Sequence, residues 1–129
     1  GYGPKNFINV LNQIKPPFNI NRAALFAAAA SIKDSKWLKK EIKHVNKWIK
    51  IFYKIFKNFD IETNLSSANF LLINFNKIKK DSRKIFLKLA KAGILVRKMK
   101  AYNINNSLRI TIGNNLENKK FIKILRKII

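Results

Sequence analysis

The sequence predicts an α+β fold. Three observations carry this. Helix-period stretches alternate along the chain with short β-type runs. Gly and Pro sit at the joints between them. The final third holds two strand-like runs, Ile94 to Arg97 and Leu108 to Ile112, between two helix patterns. There is no internal repeat and no flexible linker.

Pro4 is tolerated in a first helical turn, so a short helix is expected from Pro4 to Leu11. Pro16-Pro17 stops it. Asn19 or Asn21 is suited to cap a second helix through the alanine-rich stretch to about Ile32. Alanines at that density allow close approach, so this helix is expected to be buried. Asp34 or Ser35 then caps the longest helix, ending near Phe59. Leu38, Ile42, Val45, Ile49, Phe52 and Phe56 are spaced by four and three, which places them on one face expected to point inward. Trp37, Trp48 and Ile55 widen that stripe, and lysines at the same spacing occupy the opposite side.

Asp60 to Asn64 reads as a short strand and Ser66-Ser67 as a turn. Ala68 to Phe75 reads as a buried strand, bounded by polar residues. Asp81 to Ala92 has a helical pattern through Ile85, Leu87 and Leu89, and Gly93 sits where a helix ends in left-handed geometry. The last two strands are joined by a polar loop containing Tyr102. Asn114 opens a final helix, and Glu117 three residues on completes the pattern of a capping box.

The charge balance is extreme: 28 Lys and Arg against 6 Asp and Glu, a formal net charge of +22. Such an excess raises nucleic acid or an anionic membrane surface as a partner. A small basic module using the lysine face of the long helix on such a partner is therefore the alternative reading. Composition offers a plainer origin. Lys, Ile and Asn together make up 60 of the 129 residues, and all three have AT-rich codons. Lysine at solvated positions then needs no polyanion, and neither nucleic acid nor membrane is the expected partner.

Cysteine is absent, so disulfides and thiolate metal sites are excluded. No apolar run approaches the about 20 residues of a membrane span, and no signal-peptide pattern is present. A cytoplasmic protein is expected. The chain opens on Gly1-Tyr2-Gly3-Pro4 rather than Met, as the middle of a longer protein would.

Catalytic groups are scarce. His44 is the only histidine, lies among lysines and has no visible orienting partner; a surface role is expected. The six acids form no ligand cluster, and three of them fit helix starts. No glycine-rich phosphate loop is present. Two arginines remain, Arg97 and Arg109, each on a β-type run in a chain with only 5 arginines. A guanidinium presents a planar fork that matches a carboxylate or phosphate at two points. They are the candidate anion site.

The motifs around these residues resemble the C-terminal portion of the histidinol-phosphate aminotransferase family, pyridoxal-phosphate enzymes of the class I/II aminotransferase fold. Gly1-Tyr2-Gly3 is similar to the strand tail after the cofactor lysine. Pro17-Phe18-Asn19-Ile20-Asn21, Ser67-Ala68-Asn69-Phe70, Gly93-Ile94-Leu95-Val96-Arg97, Leu108-Arg109-Ile110-Thr111-Ile112-Gly113 and Glu117-Asn118 follow in the family's order. Lys15 stands where the family often has arginine, and Asn114 where threonine is usual.

The resemblance implies a fold-type I small C-terminal domain, a short and mostly antiparallel sheet packed with helices, over residues 34–129. Residues 1–33 would be the tail of the large-domain region and connecting helices. It implies pyridoxal phosphate as cofactor and amino transfer between glutamate and imidazole-acetol phosphate, giving histidinol phosphate. It also implies a homodimer when complete. It assigns Arg109 to the substrate carboxylate or phosphate and Arg97 to the same anionic end, with Asn69 and Tyr102 shaping the pocket. The cofactor lysine and its neighbours would lie before Gly1. The chain alone is thus expected to be inactive, with no catalytic residue and no metal site of its own.

Overall fold

A computed structural model describes residues 2–129. Contacts divide the chain into two compact units between Lys39 and Lys40.

The first unit holds two helices and the start of a third. α1 (Lys5–Ile14) begins directly after Pro4, and α2 (Arg22–Lys33) is capped by Asn21, whose side chain accepts from the Ala24 N–H at 2.8 Å. Neither helix buries a side chain in this structure. The expectation of a buried alanine-rich helix is therefore corrected: Leu25 and Phe26 of α2 are exposed, as are Phe7 and Ile14 of α1. α3 (Ser35–Asn58) runs from the first unit into the second, and Asp34 accepts from the Trp37 N–H at its start.

In the second unit, α3 supplies the core from Trp48 onward. Trp48, Ile49, Phe52 and Phe56 are buried, whereas Leu38 and Ile42 of the same stripe are half exposed. The inward face foreseen along the whole helix is thus realised only in its C-terminal half. The helix ends with Asp60 in left-handed geometry (φ 54°) and the Ile61 N–H bonded to the Phe56 carbonyl at 2.9 Å, which turns the buried Ile61 back onto the core.

β1 (Glu62–Thr63), β2 (Phe70–Asn74), β3 (Arg97–Lys98) and β4 (Ser107–Thr111) form one antiparallel sheet in the order β1-β2-β4-β3. α4 (Ser82–Lys91) connects β2 to β3, and α5 (Asn115–Ile128) follows β4. The third strand starts three residues later than expected. Ile94 and Val96 are half-buried with Leu95 exposed between them, an alternation that mimics a strand, but ladder pairing begins only at Arg97. Gly93 has the left-handed φ of 71° that lets the chain leave α4 there.

One sheet face and the three helices share a single core. Leu71, Ile73 and Phe75 from β2 and its end, and Leu108, Ile110 and Ile112 from β4 and its end, pack with Ile85 and Leu89 of α4 and Phe121 and Leu125 of α5. The rings of Phe52, Phe56 and Phe121 stack at centroid distances of 5.5–6.3 Å. Because side chains alternate along a strand, Phe70, Leu72, Asn74, Ser107, Arg109 and Thr111 lie on the other face. That face is where the arginines stand.

Candidate anion-binding site

Arg97 and Arg109 are direct cross-strand partners in the β3–β4 ladder, so they share the sheet face away from the helices. Arg109 is on an inner strand and half-buried, paired on its other side with Leu72 of β2; Arg97 is on the edge strand and exposed. Like charges placed directly opposite one another destabilise a sheet. No carboxylate offsets them: among the described residues the one salt bridge joins Lys77 to Asp60.

Aromatic rings take the place of acids around both guanidiniums. Arg109 Cζ lies 4.8 Å from the centroid of the Phe70 ring. Arg97 Cζ lies 5.3 Å from the Tyr102 centroid, and its Nη2 donates to the Tyr102 hydroxyl. Arg109 Nε is buried and has no hydrogen-bond partner among the described residues. A buried donor left unpaired is costly. The pair is thus a concentrated positive spot supported by two aromatic rings, with one buried donor unused.

Of the four residues singled out from sequence, Arg97, Arg109 and Tyr102 gather here, Tyr102 from the end of a 3₁₀ turn (Lys100–Tyr102). Asn69 sits at the start of β2, where its backbone carbonyl accepts from the Ile112 N–H at 2.8 Å; its exposed side chain is not among the contacts that join the arginines to their rings. Phe70 was not foreseen. It stands two residues from Leu72, the register partner of Arg109, and this diagonal is visible only once the pairing of β2 with β4 is known.

The turn after β4 is held by its own hydrogen bonds. The Gly113 N–H donates to Asn118 Oδ1 at 2.9 Å, and Asn118 Nδ2 donates back to the Gly113 carbonyl at 2.8 Å; Asn118 is buried. The same carbonyl accepts from His44 Nε2 at 2.9 Å, so the half-buried His44 ties α3 to the turn after β4. Trp48 Nε1 reaches Asn115 Oδ1 at 2.8 Å. Asn114 and Glu117 form the expected capping box on α5. No group of three or more His, Cys, Asp and Glu suited to a metal occurs among the described residues, and no helix among them is long and apolar enough to cross a membrane.

The second unit is thus an α+β unit with two paired arginines on the sheet face away from its helices. The comparisons with known proteins give it a lineage. Residues 1–128 match the family described as aminotransferase class I and II, and the chain belongs to that family. Gly1, part of the first motif matched, lies outside the described residues.

Histidinol-phosphate aminotransferase of Pelagibacter ubique (strain HTCC1062) is 40% identical over 129 residues, covering 99% of this chain and 36% of that protein. The protein of the same name from Campylobacter jejuni (strain RM1221) is 35% identical over 131 residues, covering 100% of this chain and 35% of its own. Among solved structures, the histidinol-phosphate aminotransferase from Clostridium acetobutylicum superposes with a TM-score of 0.83 at 23% identity, over 96% of this chain and 38% of that one. The enzyme from Sinorhizobium meliloti in complex with pyridoxal-5'-phosphate gives a TM-score of 0.81 at 20% identity, over 96% and 35%. The fold is therefore that of the aminotransferases, and the chain spans about a third of the length of the relatives it matches.

Proposed function

We propose that this chain acts as the substrate-anion-holding part of a pyridoxal-phosphate-dependent histidinol-phosphate transaminase. The complete enzyme exchanges an amino group between glutamate and imidazole-acetol phosphate, in histidine biosynthesis. The single observation that carries the reading is the Arg97–Arg109 pair, two guanidiniums in register with no carboxylate partner among the described residues. The names and identities of the relatives support the reaction. Arg109 holds the carboxylate or phosphate of the substrate, Arg97 recognises the same anionic end, and Tyr102 and Asn69 shape the space around it. A cytoplasmic homodimer is the assembly that goes with this reading.

The residues present do not suit the cofactor itself. All 23 lysines are exposed, whereas a lysine that forms a Schiff base works when desolvated in a pocket. Pyridoxal phosphate, when bound, supplies the electron sink for amino transfer. Its anchoring belongs to the part of the enzyme outside this chain. What this chain supplies is charge and orientation for the substrate. The exposed apolar side chains of α1 and α2 suit burial against that remaining part.

The test is Arg109→Lys in the full-length enzyme. Lysine keeps the charge and loses the two-point fork. Losing a charge-assisted hydrogen bond costs about 2 kcal/mol, a drop of about thirty-fold in kcat/KM, expected for glutamate and for the phosphorylated substrate alike. Unchanged values for both substrates would overturn the reading.

A further inference from the structure

We infer that Phe70 is a positioning residue for Arg109: its ring holds the guanidinium in place of the acid that normally would, leaving the full positive charge for an incoming anion. The inference rests on the anion-site reading above and adds to it the residue that orients the arginine.

Three features on the outer sheet face converge on it. Arg109 and Phe70 are diagonal neighbours across the β2–β4 ladder, since Leu72 is the register partner of Arg109 and Phe70 is two residues before it on the same face. A diagonal of this kind is within reach of long and aromatic side chains. The guanidinium carbon is 4.8 Å from the ring centroid, inside the range of cation–π attraction. Arg109 Nε, the donor nearest the backbone, is buried yet unpaired, so packing rather than a hydrogen bond fixes this end of the side chain.

The choice of an aromatic support has a chemical consequence. A carboxylate would hold an arginine more strongly, but it would also occupy the fork and cancel the charge. A ring stabilises the cation through its π face and leaves the in-plane N–H donors available. The neighbouring Arg97 is held in the same way, over the Tyr102 ring with its hydroxyl as an added acceptor. Both arginines of the pair thus have aromatic supports, while the acid of the one salt bridge among the described residues serves a lysine elsewhere.

The experiment uses this 129-residue chain and inorganic phosphate as the probe, in about 150 mM NaCl to suppress non-specific binding to its lysines. Nitrogen relaxation of the arginine side chains reads the order parameter of the Arg109 Nε–H, and backbone amide shifts of β4 read phosphate affinity. In the unmodified chain, the Arg109 Nε–H is expected to be ordered near the value of rigid backbone, about 0.85. Phe70→Leu is expected to lower it below about 0.6 and to weaken phosphate about five-fold, with the Arg97 order parameter unchanged. Phe70→Tyr should restore both. Amide spectra that match the unmodified chain outside this face establish that each variant is folded.

An Arg109 that stays ordered in folded Phe70→Leu overturns the inference. So does Phe70→Tyr failing to restore order. If Phe70→Leu leaves phosphate affinity unchanged while Arg109→Lys abolishes it, the anion site stands and the positioning role falls. If Arg109→Lys leaves phosphate binding unchanged, the anion-site reading itself fails, and the inference falls with it.

Discussion

Phe52→Ala probes the aromatic cluster through which the long helix joins the core of the second unit. Phe52 is fully buried, with ring centroids of Trp48, Phe56 and Phe121 at 5.7, 5.6 and 5.5 Å. Truncating a buried phenylalanine removes its transfer free energy and leaves a cavity, together about 3–5 kcal/mol. Three ring neighbours place this site toward the upper end, since each aromatic pair adds to simple area burial. Domains of this kind are stable by only about 5–15 kcal/mol, so the loss is a large share of the total. With a urea dependence of about 2 kcal/mol per molar, the midpoint should fall by about 2 M.

Far-UV circular dichroism is the suitable signal, because Trp48 touches the mutated side chain and its fluorescence would change for local reasons. The matched control is Ile42→Ala, on the same helical stripe but half exposed. It should cost within about 1 kcal/mol. Equal shifts for Phe52→Ala and Ile42→Ala would refute the description of α3 as buried only from Trp48 onward.

Two further outcomes follow from side chains outside the site. Asn106 has a left-handed backbone (φ 49°), and its side chain accepts from the Ser82 N–H at the start of α4 and donates to Asn76 Oδ1 and the Lys80 carbonyl. Asn106→Ala loses all three bonds and leaves a Cβ-bearing residue without the local bonding that tolerates such a φ; thermal and urea melts should show a loss of about 2–3 kcal/mol, and a loss under about 0.5 would contradict this bracing role. Lys77 donates to Asp60 and, by that bond and by its charge, holds the Asp60 carboxyl below its ordinary value of 3.8, while Lys77 is itself raised. The Asp60 contribution is therefore present above about pH 4 and lost as pH falls through the depressed folded value, and Asp60→Asn should flatten that part of the acid limb of a Tm–pH curve, only slightly because both groups are exposed. An unchanged acid limb at low salt would count against the pair.

Much of the architecture was legible in the residues, and the gaps have physical causes. The capping box of Asn114 and Glu117 is a local bonding pattern, complete within one turn, and was readable. So was Gly93, because its left-handed φ is a property of one residue. Helical periodicity identified the apolar stripe of α3 but says nothing about what covers it, so Leu38 and Ile42 were placed inside when they are half exposed. The alanine density of α2 permits close packing but supplies no partner, and in this chain the helix buries no side chain. His44 carried no signal of its role, since its partner is a backbone carbonyl 69 residues away. Arg97 and Arg109 were visible as rare residue types on strand-like runs; their direct register, and the diagonal that brings Phe70 under Arg109, arise from strand pairing that no local pattern encodes.

The strand order carries a consequence for how the site comes into being during folding. Arg97 and Arg109 belong to a local hairpin, β3 to β4, closed by the short stretch from Met99 to Asn106. The ring beneath Arg109 comes from β2, whose partner residues are far along the chain: Phe70 faces Thr111 and Asn74 faces Ser107, with all of α4 in between. Closing that longer loop costs more chain entropy, and contacts of large sequence separation form more slowly. The charged pair and the Tyr102 support of Arg97 can therefore assemble before Phe70 comes under Arg109. Conditions that loosen β2 from β4 without melting the hairpin would leave Arg97 over Tyr102 but take the Phe70 ring from Arg109, so that on the proposed reading anion affinity falls ahead of secondary structure.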